Sequence, residues 1–437
     1  MRTGGRLAAA IEVLDDVETR RRPLADALKD WGLAHRFAGS GDRSAIASLA
    51  WDALRRRASN AHRMADPSTR AAVVATFAET WGEGVAALDA ALAEPHAPAP
   101  LTPAERAALA RPRAEALADA PPHVRGDFPE WLAPSLSAVF GDRLEREAVA
   151  LAARAPVDLR VNRLKGTRAD VLAELAHLGV VPTVLSPDGL RLPELAPTAR
   201  APHVPSEAAH QEGRIEIQDE GSQLAALVAA AGPGETVLDL CAGGGGKALA
   251  MAATMANRGR IFAYDADKRR FGDFRDRIVR AGAEIVEIRP PAGPGTDVLA
   301  DLAGSLDLVL VDAPCTGTGT WRRRPDAKWR LRPNALEARC RDQDGVLDRA
   351  LSLVRPGGRV VYVTCSILRE ENEDRVAAAL LRHAGVRLAD PLARLDADLA
   401  GRLAPFVRRD GEGPVLRLSP ASADTDGFFV AVLETLG

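Results

Sequence analysis

Three short apolar runs in this chain each deliver reactive residues at their carboxyl ends. Val237-Leu238-Asp239-Leu240 leads into Cys241-Ala242-Gly243-Gly244-Gly245-Gly246-Lys247. Leu308-Val309-Leu310-Val311 leads into Asp312-Ala313-Pro314-Cys315, and Val360-Val361-Tyr362-Val363 into Thr364-Cys365-Ser366. Open α/β sheets bind ligands beyond the carboxyl ends of their strands, so three parallel strands here would bring a glycine loop, a carboxylate and two cysteines to one crevice. The chemistry that needs this set is methyl transfer to a pyrimidine. Carbon-5 of cytosine is too weak a nucleophile to take a methyl group directly. A thiolate adding at carbon-6 makes carbon-5 enamine-like, and a base must then remove the carbon-5 proton to release the enzyme. Free cysteine is only slightly ionised at neutral pH, so the attacking sulfur needs nearby positive charge or a helix terminus. Two cysteines at neighbouring strand ends can divide attack from release.

The glycine loop suits the methyl donor. Between a strand and a helix, it lets a ligand approach the backbone and offers helix amides to negative groups. Asp265 ends the next apolar run, where a carboxylate meets ribose hydroxyls. The dinucleotide spacing G-x-G-x-x-G is not met, and Lys247 is followed by Ala248 in place of the Ser/Thr of a phosphate loop. A nucleoside carrying an amino acid, such as S-adenosylmethionine, fits better than a dinucleotide. A tight turn without any ligand is the alternative reading of the loop. For either cysteine the alternative is a small packed hydrophobe, the reading preferred for Cys340.

The elements that must position these residues follow from periodicity. From about residue 211, strands at 237–240, 261–264, 307–311 and 359–363 alternate with helices at 222–231, through 255, through 280 and around 335–354. This predicts a doubly wound, Rossmann-like α/β sheet over 211–437. Residues 125–210 read as a small α/β unit, with a strand at Leu159–Asn162, a helix from Arg168 to Leu178 ended by Gly179, and a strand at 180–185. The Pro-rich 197–205 stretch closes it. Residues 1–95 read as all-helical, with Ile46, Leu49, Ala50, Ala53 and Leu54 on one face. The Pro- and Ala-rich 96–124 stretch reads as a semi-rigid linker.

Composition narrows the class. With 437 residues, two to four domains are expected. A net charge of −3 announces no global nucleic-acid surface. No run is long and apolar enough for a membrane span, the start does not read as a signal peptide, and a soluble cytoplasmic protein is expected. Four cysteines without C-x-x-C spacing argue against a disulfide framework and against a metal site.

At this point the motifs resemble those of a known family. Asp312-Ala313-Pro314-Cys315-Thr316-Gly317-Thr318-Gly319-Thr320, continuing Arg322-Arg323-Arg324-Pro325-Asp326-Ala327-Lys328-Trp329, is similar to the signature of the Nop/Sun RNA cytosine-5 methyltransferases. So are Val363-Thr364-Cys365-Ser366-Ile367 running to Glu371-Asn372-Glu373, Gln218-Asp219-Glu220-Gly221-Ser222-Gln223, and Asp426-Gly427-Phe428-Phe429-Val430-Ala431. Pro156 to Asn162 resembles the family's RNA-binding pre-domain, and 1–95 a shortened NusB-like domain, which among relatives marks the bacterial small-subunit ribosomal RNA enzyme. The resemblance implies that Cys365 attacks, that Cys315 assists release, and that Asp312 holds the cytosine edge or the methionine amine. DNA cytosine methyltransferases attack from a Pro-Cys motif, so the opposite assignment stays open. It also implies donor contacts from Cys241 through Lys247 and from Asp265, Arg270 and Asp312. Two departures stand out: Gly243-Gly244 replaces the family's Ala-Pro, and the region of the adenine-contacting Asp reads Ile288-Arg289-Pro290-Pro291-Ala292-Gly293.

Arg322, Arg323, Arg324, Lys328, Arg330 and Arg332 form the densest basic run, with Trp321 and Trp329 interleaved. Arginines meet phosphates and indoles stack on unpaired bases, so Arg322, Arg323, Arg324, Lys328 and Trp329 are the expected RNA contacts. A solvated loop with tryptophans in the core is the other reading. The expected activity is S-adenosylmethionine-dependent methylation of carbon-5 of a cytosine in RNA, ribosomal before transfer RNA. The rivals are a catalytically weakened RNA-binding assembly factor and a Rossmann dehydrogenase. RNA is the expected partner, with no membrane, no metal and a monomeric chain.

Overall fold

The structure, a computed structural model, describes every residue except 197, 198, 200, 201, 294 and 410, so the start of the 197–205 stretch lies outside the described residues. The chain divides into two compact units. One comprises 155–194, 202–320 and 332–437, and the other is built mainly from 1–154 with 321–331.

The larger unit holds the expected parallel sheet. Thr236–Asp239 pairs in parallel with Arg260–Ala263 on one side and Leu306–Asp312 on the other. Val286–Ile288 extends the first edge. Leu306–Asp312 pairs in parallel with Val354–Thr364, on which Phe428–Thr435 lies antiparallel. The strand order thus turns back at Thr236–Asp239, the place where such sheets open a ligand crevice. The runs are apolar throughout because both faces are covered. Val237, Leu308, Leu310, Val361 and Val363 pack with Leu224, Ala248, Leu249 and Met251 on one face. Leu238, Val309, Val311, Val360 and Tyr362 pack with Leu347, Ala350, Leu353 and Val376 on the other.

A second, four-stranded antiparallel sheet runs in the order Val181–Pro182, Gly189–Arg191, Asp158–Val161, Ile215–Ile217. The helix of this sheet spans Arg168–Glu174 and ends through a 3-10 turn at Gly179, whose φ of 68° provides the left-handed stop. The expected 180–185 strand shrinks to two residues because its partner Gly189–Arg191 is short. Ile215–Ile217 lies beyond the expected boundary at 210: it pairs with Asp158–Val161, so the small sheet borrows a strand from the segment that enters the large one.

The other unit is helical. Thr3–Arg20, Leu24–Ala34, Ser40–Arg55, Arg57–Met64, Thr69–Ala75 and Gly84–Leu92 surround a core that includes Leu7, Leu14, Ile46, Leu49, Ala53, Val73 and Leu88. Two expectations need correction here. The 96–124 stretch is not a linker. Thr102 and Glu105 form a reciprocal cap on the helix Pro103–Ala110, and Pro122 opens another helix. Proline at the first helical position starts helices, and Pro103 and Pro122 stand there. Leu109 joins the core, and the Arg63 guanidinium donates to the carbonyls of Ala108 and Leu109.

The second correction concerns the basic run. Residues 321–331 fold into this helical unit. Trp321, Arg322 and Lys328 are buried, and the Trp329 indole donates to the Leu54 carbonyl at 2.7 Å under the Arg57 guanidinium. Lys328, 1% exposed, donates to the Arg55 carbonyl at 3.4 Å. The indoles pull the segment inward, and the short helix Pro325–Arg330 carries Lys328 with them. Arg322, Lys328 and Trp329 are therefore packing residues. Arg324 alone of the expected RNA contacts is fully exposed, with Arg323 half-buried.

Burial pushes the Lys328 ammonium down from 10.5 to about 7, against the pull of Asp127. Between those values the unfolded chain binds a proton that the folded chain does not, so stability rises with pH across this window. Lys328→Met is expected to raise the thermal stability of the protein at neutral pH, with the gain fading as pH approaches about 10.5. Melting curves across that range check it; a gain independent of pH would show that desolvation of the charge is not its source.

Candidate active site

The glycine loop leaves Asp239 at the end of its strand and enters the helix Gly246–Thr254. Gly243 and Gly245 take φ of 52° and 78°, and a side chain at Gly245 would collide with the Phe274 ring. Glycine is required there for both conformation and space. Asp265, 4% exposed, accepts the Gly243 amide at 2.9 Å and the Asp267 amide at 2.9 Å, and pairs with Arg270 at 3.0 Å. The carboxylate at the second strand end thus shapes the loop as well as facing the crevice, and retains acceptor capacity for a hydroxyl.

Lys247 closes the loop. It is 7% exposed, donates to Asp312 at 2.7 Å, and stands 5.5 Å from the Phe428 ring centroid. Burial alone would discharge it. The neighbouring charges of Asp312, Asp239 and Cys365 reverse this and hold its ammonium above the ordinary lysine range. Beneath it Asp239 is 1% exposed, and neither carboxylate oxygen has a hydrogen-bond partner. Burial, with Asp312 next, pushes this carboxyl up from 3.8 to about 7. An orphaned buried carboxyl beside a glycine cradle fits a ligand bearing positive charge, as the sulfonium and ammonium of S-adenosylmethionine do.

The two cysteines meet. Cys315 Sγ and Cys365 Sγ are 3.4 Å apart. The strands Leu306–Asp312 and Val354–Thr364 place Asp312 opposite Val363, and the loops beyond are stitched by backbone bonds from Ala313 to Val363 at 2.8 Å and from Gly319 to Cys365 at 2.9 Å. Gly427 then donates to Gly319 at 2.8 Å, an approach so close that no side chain fits at either glycine. Glu371, fully buried, accepts the Thr316 amide at 2.8 Å and the Gln343 amide at 3.0 Å, and the Thr316 hydroxyl as well. It braces the Cys315 loop from below. Asn372 donates to the Ser366 carbonyl at 2.9 Å and braces the Cys365 loop in the same way. The Cys315 thiol is raised well above its ordinary range, first by its contact with Cys365 and then by burial.

Cys241, Ala242, Gly243, Gly244, Gly245, Gly246, Lys247, Asp265, Arg270, Asp312, Cys315 and Cys365 all lie in the larger unit. Burial and the surrounding carboxylates push the Cys241 thiol up, which removes it as a nucleophile and leaves it as a loop residue. The sequence reading sets Asp239 at the start of the expected nucleoside half-site without giving it a contact of its own, although an acid inside an otherwise apolar run was the available signal. It also gives Glu371 no role. In the 288–293 region, Arg289 lies 4.2 Å from the Phe262 ring centroid and pairs with Asp301 at 2.6 Å. Asp297 is paired with Arg349. Among the described residues no group of three or more His, Cys, Asp or Glu is placed to hold a metal, and no helix is long and apolar enough to cross a membrane.

Comparison with known proteins agrees with this geometry. Residues 226–434 match the family model of the 16S rRNA methyltransferase RsmB/F, and residues 128–198 match the ferredoxin-like domain of RsmF/B-like methyltransferases. Ribosomal RNA small subunit methyltransferase B of Xanthomonas campestris is 32% identical over 365 residues, covering 80% of this chain and 78% of that protein. The probable ribosomal RNA small subunit methyltransferase B of Bacillus subtilis is 31% identical, covering 71% of this chain and 66% of that one. A methyltransferase homologue of solved structure from Pyrococcus horikoshii superposes with a TM-score of 0.57 at 26% identity, covering 72% of this chain and 98% of that one. Another solved crystal structure matches 100% of this chain and 99% of its own, with a TM-score of 0.72 at 27% identity. The strand-end cysteines and the glycine loop thus sit in a chain that belongs to the RsmB/F family of 16S ribosomal RNA methyltransferases.

Proposed function

We propose that this enzyme methylates carbon-5 of a cytosine in small-subunit ribosomal RNA through a covalent adduct on Cys365, with Cys315 releasing the product. The observation that carries this reading is the 3.4 Å contact of the two sulfurs. Two like charges at that distance cannot both persist, so only one of the two sulfurs can act as a thiolate at a time. The elevation of the Cys315 thiol makes it the poorer candidate for the first attack. Lys247 sets a permanent positive charge in the same crevice.

The division of labour follows. The Cys365 thiolate adds to carbon-6, and its charge passes into the pyrimidine ring. S-adenosylmethionine, held by the loop Cys241 to Lys247 with Asp265, supplies an electrophilic methyl group. Once Cys365 is a neutral thioether, the constraint on Cys315 is lifted and its proton can leave to solvent. The Cys315 thiolate then takes the carbon-5 proton, the carbon-6 to sulfur bond breaks, and its electron pair returns to Cys365. Asp312, fixed by Lys247, offers an oxygen to the exocyclic amine of the cytosine. Glu371 and Asn372 keep the two loops from drifting apart. Asp239 balances the positive charge of the donor. RNA is thereby the macromolecular partner, and the bacterial relatives favour ribosomal over transfer RNA.

Two expected outcomes test these roles. Cys365→Ala should be inactive and leave RNA free. Cys315→Ala should accumulate a protein–RNA adduct stable to denaturing electrophoresis, which the double variant should not form. An adduct on Cys365→Ala would reverse the assignment. The second concerns Asp239, whose folded carboxyl binds a proton that the unfolded chain has lost between 3.8 and about 7. Stability therefore falls as pH rises through that window, and Asp239→Asn should raise the melting temperature of the donor-free protein above pH 7 while leaving it unchanged in acid. The same variant should weaken S-adenosylmethionine in calorimetry. Undiminished affinity would remove Asp239 from the donor site.

A further inference from the structure

We propose that Arg277 is a positioning residue for the donor loop: it holds the Gly244 carbonyl with one guanidinium nitrogen while the buried Glu216 holds the other two. The inference rests on reading the glycine loop as the donor site.

Gly244 is exposed and glycine-flanked, the kind of backbone that wanders. The structure ties it down from the side. Arg277 donates from Nη1 to the Gly244 carbonyl. Its Nη2 and Nε reach Glu216 Oε2 at 2.8 and 3.2 Å. Glu216 is 3% exposed and also accepts from Arg280 at 2.7 Å. Burial would push its carboxyl up; the two guanidinium groups override this and hold it below the ordinary glutamate range. A buried, ionised carboxylate in a charge-assisted grip is a fixed anchor. Arg277 sits three residues after Phe274 on the helix Phe274–Ala281, so the face whose ring fills the space over Gly245 also carries the guanidinium to Gly244.

The anchor belongs to the small antiparallel sheet. Glu216 lies opposite Arg160 in the pairing of Asp158–Val161 with Ile215–Ile217. Arg160, fully buried, donates to Gln218 at 2.6 Å and reaches the Gly246 carbonyl at 3.5 Å. Alternate carbonyls of the loop, 244 and 246, are thus met by guanidinium groups braced on two neighbouring strands of that sheet, Asp158–Val161 and the edge strand Ile215–Ile217. The fit is tight: a Cβ at Gly244 would lie 3.0 Å from Arg277 Nη1. With both carbonyls held, and with the Gly243 and Gly245 amides bonded to Asp265 and Ala242, the loop keeps one shape. Its shape then costs no ordering on binding.

Calorimetry of the full chain with S-adenosylhomocysteine tests this. Arg277→Ala should raise Kd about ten-fold. In turnover the loss should appear in the KM for the donor, with kcat at saturation kept within about two-fold. Amide exchange at 243–246 should quicken. Arg277→Lys, which cannot grip Glu216 and Gly244 together, should fall between. Gly244→Ala should weaken binding in the parent by displacing the guanidinium, yet add no loss in the Arg277→Ala background. An unchanged Kd, additive losses, or a fall in melting temperature and kcat matching the loss of affinity would overturn the proposal. Failure of the parent itself to bind S-adenosylhomocysteine would instead overturn the donor-site reading.

Discussion

Two sulfur atoms stand 3.4 Å apart, too close for both to carry negative charge, and the strands and loops around them hold that separation. The distance is set by neighbouring parallel strands whose register brings Asp312 beside Val363. It is then locked by the backbone contacts of Gly319 with Cys365 and Gly427. Loosening any of these would let the two thiols move independently. The absence of a side chain at Gly319 and Gly427 is as much a part of the site as the sulfurs themselves.

Charge in the crevice is balanced by unusual means. Lys247 stays charged although buried, because carboxylates surround it. Asp239 is buried beside the Asp312 charge and so retains a proton to about neutrality. Such a group is costly to keep buried, and perturbed carboxyls of this kind cluster at functional sites. The loop carries Gly243-Gly244, and the arginines Arg270 and Arg277 occupy the space that side chains there would need.

The basic segment shows where residue type misleads. Arginines with interleaved tryptophans suit both a nucleic-acid surface and a docked helix, and the deciding quantity is which side of the short helix meets the core. The indoles of Trp321 and Trp329 carry more apolar area than the charges can keep in water, so Lys328 goes in with them and Arg324 remains outside. The Pro-rich stretch misled similarly: prolines at 103 and 122 stand at first helical positions, where they favour the helix.

Sequence alone determined the parallel sheet, the strand ends that carry Asp239, Asp312, Cys315 and Cys365, and the glycine loop, because apolar runs of strand length buried on both faces leave few other topologies. The motif blocks determined the family. Only the tertiary structure decided that Ile215–Ile217 completes the small sheet, that 321–331 leaves the catalytic loop for the helical unit, and that Arg277 grips Gly244 through Glu216. Those outcomes depend on pairings between residues tens of positions apart. Local periodicity carries no information about such pairings, since burial and hydrogen bonding settle them only once the whole chain has packed.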